Sequence, residues 1–585
     1  MRHLLAELAR VDVHVAKAVQ QWQAAGRDPN NAFHGLIITS EEAVALLSLP
    51  FSGNWGQISD LDAAEKRGFA LASAEATAKA AQLVEQAAVT GQQLRLTWLC
   101  DVFGLDDFQR DALLVCLAPA LDLRYEQLFG YLQNDASKRR PTVNLVLDLL
   151  CAPGPSRLIK LNDFASTAPL ARHQLVELAS DPNQHQPPLL GKSLVVDTTV
   201  ASWLLGAYRP RPEFEAAVKL EQPQVTEELE LLTLPLRSQL EHALLIDRPM
   251  LIFSGVDLDA HRAAAGLVAV RLQRSLLSLD LGVLAGQNAP VMKAIRLALR
   301  DARLTNAIVY LHGWDVALQD AQAPVALLSE LCDHPDILII SGNSGWQMEG
   351  IDRQRTVLSV EFDMPDYAQR RNLWHYYLHR ELSDEIGDQG DDWAVNMAGQ
   401  FTLTTRQIRD AVASARDVAI RRGDALVQND LFVGARTHSS ARLVDMARKI
   451  EPRYDWSDLI LPADQLQILR ELVDMVRNRG LVLEEWGLGK KLASSSAVTV
   501  LFAGPPGTGK TMAAEVVARD LGLDLYKIDL SGLVSKYIGD TEKNLERIFT
   551  EAQSSNAILF FDEADAILAN VLGSKMRGTA TPTSR

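Results

Sequence analysis

The sequence predicts an α/β protein with two modules, each a parallel sheet layered between helices, preceded by a mostly helical N-terminal region. Three observations predict it. The apolar run VTVLF, residues 498–502, leads into a glycine-rich turn and then the helical pattern MAAEVVARDLG. A second apolar run, ILFF at 558–561, ends in two carboxylates, Asp562 and Glu563. The same strand–turn–helix layout also stands earlier in the chain, at residues 250–281. Short apolar runs bounded by turn signals and alternating with helical patterns mark βα units and a buried parallel sheet.

The totals set the class. A chain of 585 residues has room for three or four domains. It is 47% apolar and 23% charged, as expected of a globular protein rather than a disordered one. The net charge of −16 argues against a general nucleic-acid-binding surface. Cys100, Cys116, Cys151 and Cys332 lack metal-ligand spacing and stand in apolar contexts, so they read as reduced core residues. The first residues, MRHLLAELARVDV, are too interrupted by charge for a signal peptide. No apolar run approaches the ~20 residues that span a bilayer. A cytoplasmic location is the expectation.

In chain order, residues 1–90 are Ala-rich and helical in period, with breaks at 26–31 and 50–54. Residues 91–225 follow: short helices over 94–150, then Pro-rich breaks (QPPLL, YRPRPEF) that read as extended strands and linker. The helical part resembles the winged-helix module of some bacterial proteins. Its basic run, Lys138, Arg139 and Arg140, has two readings: phosphate contacts, or a solvated helix-end cap. A protein-binding arm is the role expected of this module.

The pattern LFAGPPGTGKT fits G-x-x-x-x-G-K-[ST] with Gly504, Gly509, Lys510 and Thr511 in the fixed places. It has the strand before and helix after that the motif requires. Gly504, Pro505, Pro506, Gly507, Thr508 and Gly509 form a loop whose backbone N–H groups can cradle phosphate, and the helix opening at Lys510, Thr511 and Met512 adds its positive end. Lys510 can reach the β- and γ-phosphates, and the Thr511 hydroxyl can ligate Mg²⁺. Asp562 can hold that Mg²⁺ and Glu563 can polarise the attacking water; the bland alternative is a carboxylate pair capping the next helix.

GPPGTGKT, SKYIGDTEKNLERIF and ILFFDEADAI together resemble the AAA+ ATPases, in the branch with an aromatic pore loop. The resemblance covers residues 456–567 and implies a P-loop NTPase fold, ATP and Mg²⁺ as cofactors, and a homo-hexamer. In that family Lys536, Tyr537, Ile538 and Gly539 would line a central pore, where the aromatic grips an extended polypeptide. A ring in a loop offers contact area at little entropy cost. Residues 456–460 loosely match a segment that lies near adenine in the family.

The earlier module, 226–440, reads as a degenerate copy. Aligning Gly255 with Gly504 places Ala260, His261 and Arg262 on Gly509, Lys510 and Thr511, and His312 and Gly313 on Asp562 and Glu563. His312 follows His261 by 51 residues; Asp562 follows Lys510 by 52. The phosphate lysine, the metal ligands and the water-polarising base are all replaced. An unrelated α/β domain is the alternative. Asn343, ending ILIISGN, stands where the family keeps a sensing Asn. FTLTTRQIRDAVASARDVAIRR resembles the family's helical lid, with Thr404 as N-cap before Gln407.

The second module, 450–585, follows a charged linker at 441–458. After Ile567 the resemblance stops. The tail LANVLGSKMRGTATPTSR is not patterned, and the sensor strand, arginine finger and lid of the family are not read in it. Reading one base out of frame from Leu568, with codons chosen freely, yields GKRSGVKDARDRYANIE, which looks like the family's continuation. The expectation is a frameshift, a sequencing artefact or a decayed gene, with weak turnover by residues 1–585 as they stand. Domain order is similar to that of AAA+ proteins accompanying bacterial contractile injection systems. The expected function is ATP hydrolysis that drives remodelling of a protein substrate. A non-hydrolysing adaptor and, against the net charge, a nucleic-acid remodeller are the alternatives.

Overall fold

The computed structural model describes residues 1–25, 44, 47, 61–180, 188–223, 232–319, 322–346, 348, 355–386, 389–439, 447–478, 498–505, 507–528, 548–549, 552 and 557–562. The chain divides into two compact units. The first comprises Met1–Pro223, Ala269–Ile340 and Gln347–Thr356; the second comprises Gln224–Val268, Ser341–Trp346 and Val357–Arg585.

In the first unit, the helix Arg2–Ala24 lays Leu4, Leu8, Val11, Val15 and Trp22 into one core with the helices Arg95–Phe103, Asp107–Leu121, Arg124–Leu132 and Val143–Leu150. Residue 90 is therefore not a packing boundary. Asp62 and Glu65 form a capping box on the long helix Ala63–Thr90, and Asp106 and Gln109 form another on Asp107–Leu121. Each satisfies first-turn N–H groups that have no intrahelical partner.

The stretch after residue 150 is more than linker. Val176–Ala179 pairs antiparallel with Ser193–Val196, and Thr142 bridges to Ser193. Asp197 then caps the helix Thr198–Leu205. The extended strands expected here are four residues each, and a short helical turn, Leu189–Gly191, leads into the second. Lys138 and Arg139 lie 3.8 Å from Asp135 and 4.0 Å from Glu126, so both face acids on their own region.

The same unit carries a mixed sheet rather than a purely parallel one. Val218–Glu221 runs antiparallel to Leu276–Asp280, which runs parallel to Ile308–His312, and Leu338–Gly342 is next in order. The helix Val291–Thr305 ties the sheet to the N-terminal helices. Trp98 Nε1 donates to Leu304 O at 3.0 Å, and the Arg303 guanidinium lies over the Phe103 ring. Beneath lies a buried ionic network. Arg300 meets Asp197 at 3.0 Å and Asp301 at 2.7 Å, Arg211 meets Asp197 at 2.6 Å, and Tyr208 donates to Asp301 at 3.0 Å. Burial pushes both carboxyls up. At Asp197 the two guanidiniums outweigh burial and hold it below the usual range, whereas at Asp301 burial wins. Removing one partner of such a network leaves a buried charge uncompensated, at a cost of roughly 3–5 kcal/mol.

Two histidines in this unit make its stability depend on pH. Burial holds His173 down at about 4 and His334 at about 3, against an ordinary value of 6.5. The folded unit binds these protons more weakly than the unfolded chain, so the contribution is complete above about pH 6.5 and is lost as pH falls towards 4. Hydrogen-exchange protection of the helix Val291–Thr305 should drop over that window; protection at pH 4.5 equal to that at pH 7.5 would overturn the assignment.

In the second unit, Met250–Gly255 pairs parallel with Val357–Phe362. A Cβ on Gly255 would meet Phe362 O at 2.0 Å, and its φ of 128° also requires glycine. The helices Tyr367–Ile386, Gln389–Gln400, Thr405–Arg422 and Gln428–Ser439 enclose a separate core around Trp374, Met397, Phe401 and Val412. Thr404 and Gln407 form the expected capping box on Thr405–Arg422.

The later part of this unit is built on the helices Ala463–Arg477 and Lys510–Leu521, which bury Leu469, Val473, Val516 and Leu521 together. Its sheet is also mixed. Arg448–Ile450 runs antiparallel to Leu525–Ile528, which runs parallel to Ile558–Phe561. The region read as charged linker therefore contributes a strand, which three residues could not announce by periodicity. The strand expected at 498–502 does not form. Leu501 is 84% exposed, and none of the described residues pairs with the run. A strand exists only where a neighbour completes its ladder.

None of the four cysteines is in a disulfide; Cys116 is buried and the others are partly so. Burial pushes Cys100 up to about 12. Among the described residues no helix is long and apolar enough to cross a membrane.

Candidate nucleotide site

Gly509 adopts the left-handed conformation (φ 86°) and opens the helix Lys510–Leu521. Gly507 has φ 81° in the same loop. The N-cap Gly509 has no side chain to cap this helix, and among the described residues no side chain accepts from the first-turn amides of Lys510, Thr511 and Met512, which have no intrahelical acceptor either. That is a donor set suited to phosphate. Lys510 Nζ donates to Gly504 O and Pro505 O, both at 2.9 Å, and Thr508 Oγ1 donates to Pro505 O at 3.0 Å. The lysine thus holds the loop in shape and stands at its mouth. Thr511 is exposed, while Met512 is half-buried against the cluster around Leu469 and Val516. Met512 can serve a ligand only through its amide.

Asp562 ends the strand Ile558–Phe561, and its Oδ2 lies 2.6 Å from Lys527 Nζ at the neighbouring strand's end. Pro506, Glu563 and the segment Lys536, Tyr537, Ile538 and Gly539 lie outside the described residues. Trp456 is held at the other end of the loop helix, where its Nε1 donates to Asp520 at 3.0 Å. Ten residues of helix, about 15 Å, separate Asp520 from Lys510, so the indole is not brought to the phosphate loop.

The corresponding place in the earlier module is built differently. His261, aligned with Lys510, is fully buried. Its Nδ1 is 2.7 Å from Ser341 Oγ, and its ring packs 4.5 Å from Phe362 and 6.0 Å from Phe253. It is a core residue. The loop carries Asp257 and Asp259 where the other loop has Pro506 and Thr508. Asp257 accepts from Ala260 N, in the first turn of the helix Leu258–Arg271, at 3.3 Å. It also accepts from Thr405 N at 3.1 Å and Thr405 Oγ1 at 2.7 Å. Asp259 pairs with Arg409 at 2.6 Å and Arg406 at 3.3 Å. Burial pushes the Asp257 carboxyl above the usual range despite its hydrogen bonds from Thr405 and Ala260.

A cleft of about 630 Å³ opens here, lined among others by Asp257, Asp259, Arg262, Thr405, Arg406 and Arg409. Carboxylates of the chain itself take the helix N-terminus and the guanidiniums of Arg406 and Arg409, the two things a phosphate would need. Sequence reasoning passed over Asp257 and Asp259. The available signal was two acids in a loop that, to bind phosphate, must not repel it. Asn343 sits at the end of its strand, where its carbonyl accepts from Gly255 N at 3.3 Å.

Elsewhere in the first unit, His312 stacks on Tyr310 with ring centroids 5.2 Å apart and lies 3.8 Å from Asp280. Gly313 is left-handed (φ 71°), and a Cβ there would meet Gly282 N at 3.0 Å. No carboxylate can stand at that position without a shift of backbone.

Known proteins give the class. Residues 500–583 match the family "ATPase family associated with various cellular activities (AAA)", and residues 1–216 match "Winged helix domain, variant". The AAA match runs past Ile567, where the motif resemblance ends. Residues 500–583 are thus similar to an AAA ATPase domain and residues 1–216 to a winged-helix domain. Among individual relatives, it is 37% identical over 123 residues to "Uncharacterized AAA family ATPase y4kL" of Sinorhizobium fredii, covering 21% of this chain and 35% of that protein. It is 28% identical over 236 residues to "Peroxisomal ATPase PEX6" of Eremothecium gossypii, 37% of this chain and 22% of the relative. It is 29% identical over 264 residues to "Proteasome-activating nucleotidase 2" of Halobacterium salinarum, 44% and 61%. The chain therefore spans about a fifth to three fifths of these relatives.

Proposed function

We propose that the second module binds ATP with Mg²⁺ and hydrolyses it to drive remodelling of a protein substrate, in a homo-hexamer, while the first module is a nucleotide-free element. One observation carries this reading: the two loop helices differ at their N-termini. Among the described residues, no side chain caps the first turn of the helix opening at Lys510. The helix Leu258–Arg271 has Asp257 bonded into its first turn.

In this reading the loop amides and Lys510 hold the phosphates, with Lys510 moving off Gly504 O and Pro505 O. Thr511 and Asp562 are the Mg²⁺ ligands, with Asp562 released from Lys527. Bound Mg²⁺ supplies charge neutralisation at the phosphate oxygens. Glu563 takes a proton from the attacking water as it adds. Lys536, Tyr537, Ile538 and Gly539 form the substrate loop. The relatives named as a peroxisomal ATPase and a proteasome-activating nucleotidase support ATP-driven work on proteins. The order of winged-helix arm, altered module and catalytic module supports a narrower reading, service to a contractile injection apparatus.

The substrate role is tested at Tyr537. With a tailed green fluorescent protein as model substrate, Tyr537→Ala should lower ATP-dependent unfolding at least tenfold and basal ATP turnover less than twofold. Equal loss of both would mark Tyr537 as a packing residue.

A second reading is a nucleotide-binding adaptor without turnover. Among the described residues the run at 498–502 has no ladder partner and Leu501 is 84% exposed, which favours it, because a loop whose leading segment is not held in a sheet is poorly fixed for catalysis.

A further inference from the structure

We propose that the lid of the first module carries a surface site for a zinc-like divalent d-block ion, held by His375, His379 and Asp391. His375 and His379 are one turn apart on the helix Tyr367–Ile386, so both rings leave the same face. Their centroids are 4.3 Å apart. Asp391 comes from the first turn of the next helix, Gln389–Gln400. His375 Nε2 is 3.0 Å and His379 Nε2 is 3.8 Å from Asp391 Oδ1. One ligand atom from each residue lies within 4.8 Å of the other two, and all three residues are exposed.

These separations suit a metal. Ligands at about 2.0–2.2 Å from a tetrahedral ion lie roughly 3.3–3.6 Å from one another. Small rotations of exposed side chains bring the set to that spacing. Two imidazoles and one carboxylate suit Zn²⁺, Ni²⁺ or Cu²⁺ and exclude selective binding of Mg²⁺ or Ca²⁺, which take oxygen ligands. Three protein ligands leave a position open to water or to a fourth group.

The site joins two helices that share one core through Trp374, Leu378, Ala394 and Met397. A bound ion therefore links them directly, and it stabilises the folded lid in proportion to its occupancy. None of its three residues lines the cleft that carries Thr405, Arg406 and Arg409.

Titration calorimetry of the full chain with Zn²⁺ alone should give one tight equivalent that survives a large excess of Mg²⁺. The double variant His375→Asn/His379→Asn should lose at least 30-fold in that affinity, and Asp391→Asn at least threefold. Both variants lie on the surface and should keep the wild-type circular dichroism. Wild-type protein loaded with Cu²⁺ provides a check free of mutation, since its paramagnetic resonance spectrum should show hyperfine coupling to two imidazole nitrogens. Zn²⁺ affinity unchanged in the double variant, or a Cu²⁺ spectrum with one nitrogen or none, overturns the proposal.

Discussion

Lys510→Ala should abolish ATP binding, raising Kd by about two orders of magnitude, while His261→Ala leaves it unchanged. The difference follows from where each side chain stands. Lys510 Nζ lies at the mouth of an uncapped loop, bonded to two carbonyls it can leave. A lysine–phosphate contact is a charge-assisted hydrogen bond, among the stronger ones a protein makes, and about 3 kcal/mol of binding energy lost is roughly a hundredfold in Kd. His261 is fully buried beneath a loop that carries its own carboxylates. Its removal opens a gap between Phe253 and Phe362 and costs stability, but it exposes no phosphate donor. Titration with a fluorescent ATP analogue checks both. Loss of binding in His261→Ala with retention in Lys510→Ala would reverse the assignment of the two loops.

Glu563→Gln should leave ATP affinity within twofold and lower turnover by about 10²–10⁴-fold, the usual contribution of a positioned general base. Glutamine keeps the size and the hydrogen bonding of glutamate but cannot take the water's proton. Asp562, next to it in the sequence, is tied to Lys527 of the neighbouring strand. Single-turnover and steady-state hydrolysis of the purified chain decide between the two functional readings. Turnover that vanishes in Glu563→Gln supports the ATPase. Background turnover in both proteins, with Lys510-dependent binding, supports the adaptor.

Features that depend on a few adjacent residues were legible in the sequence. The glycine loop and the strand with its two carboxylates are local chemistry. So were the runs MLIFSG, IVYLH and LIISG as strands and the Thr404–Gln407 cap, because apolar runs and capping residues act over one to four positions. That His261, His312 and Gly313 stand at the positions aligned with Lys510, Asp562 and Glu563 was visible for the same reason. Tertiary structure alone decided the rest. Val218–Glu221 and Arg448–Ile450 became strands because a partner edge was there to complete their hydrogen bonds. The run at 498–502 has as strong an apolar pattern and stayed unpaired, because none of the described residues completes its ladder. Asp257 reaches Thr405 across 148 residues, and His375 meets Asp391 across a helix turn-around. Sequence periodicity reports which face of an element is apolar; it carries no information about which distant backbone, carboxylate or imidazole will lie against it.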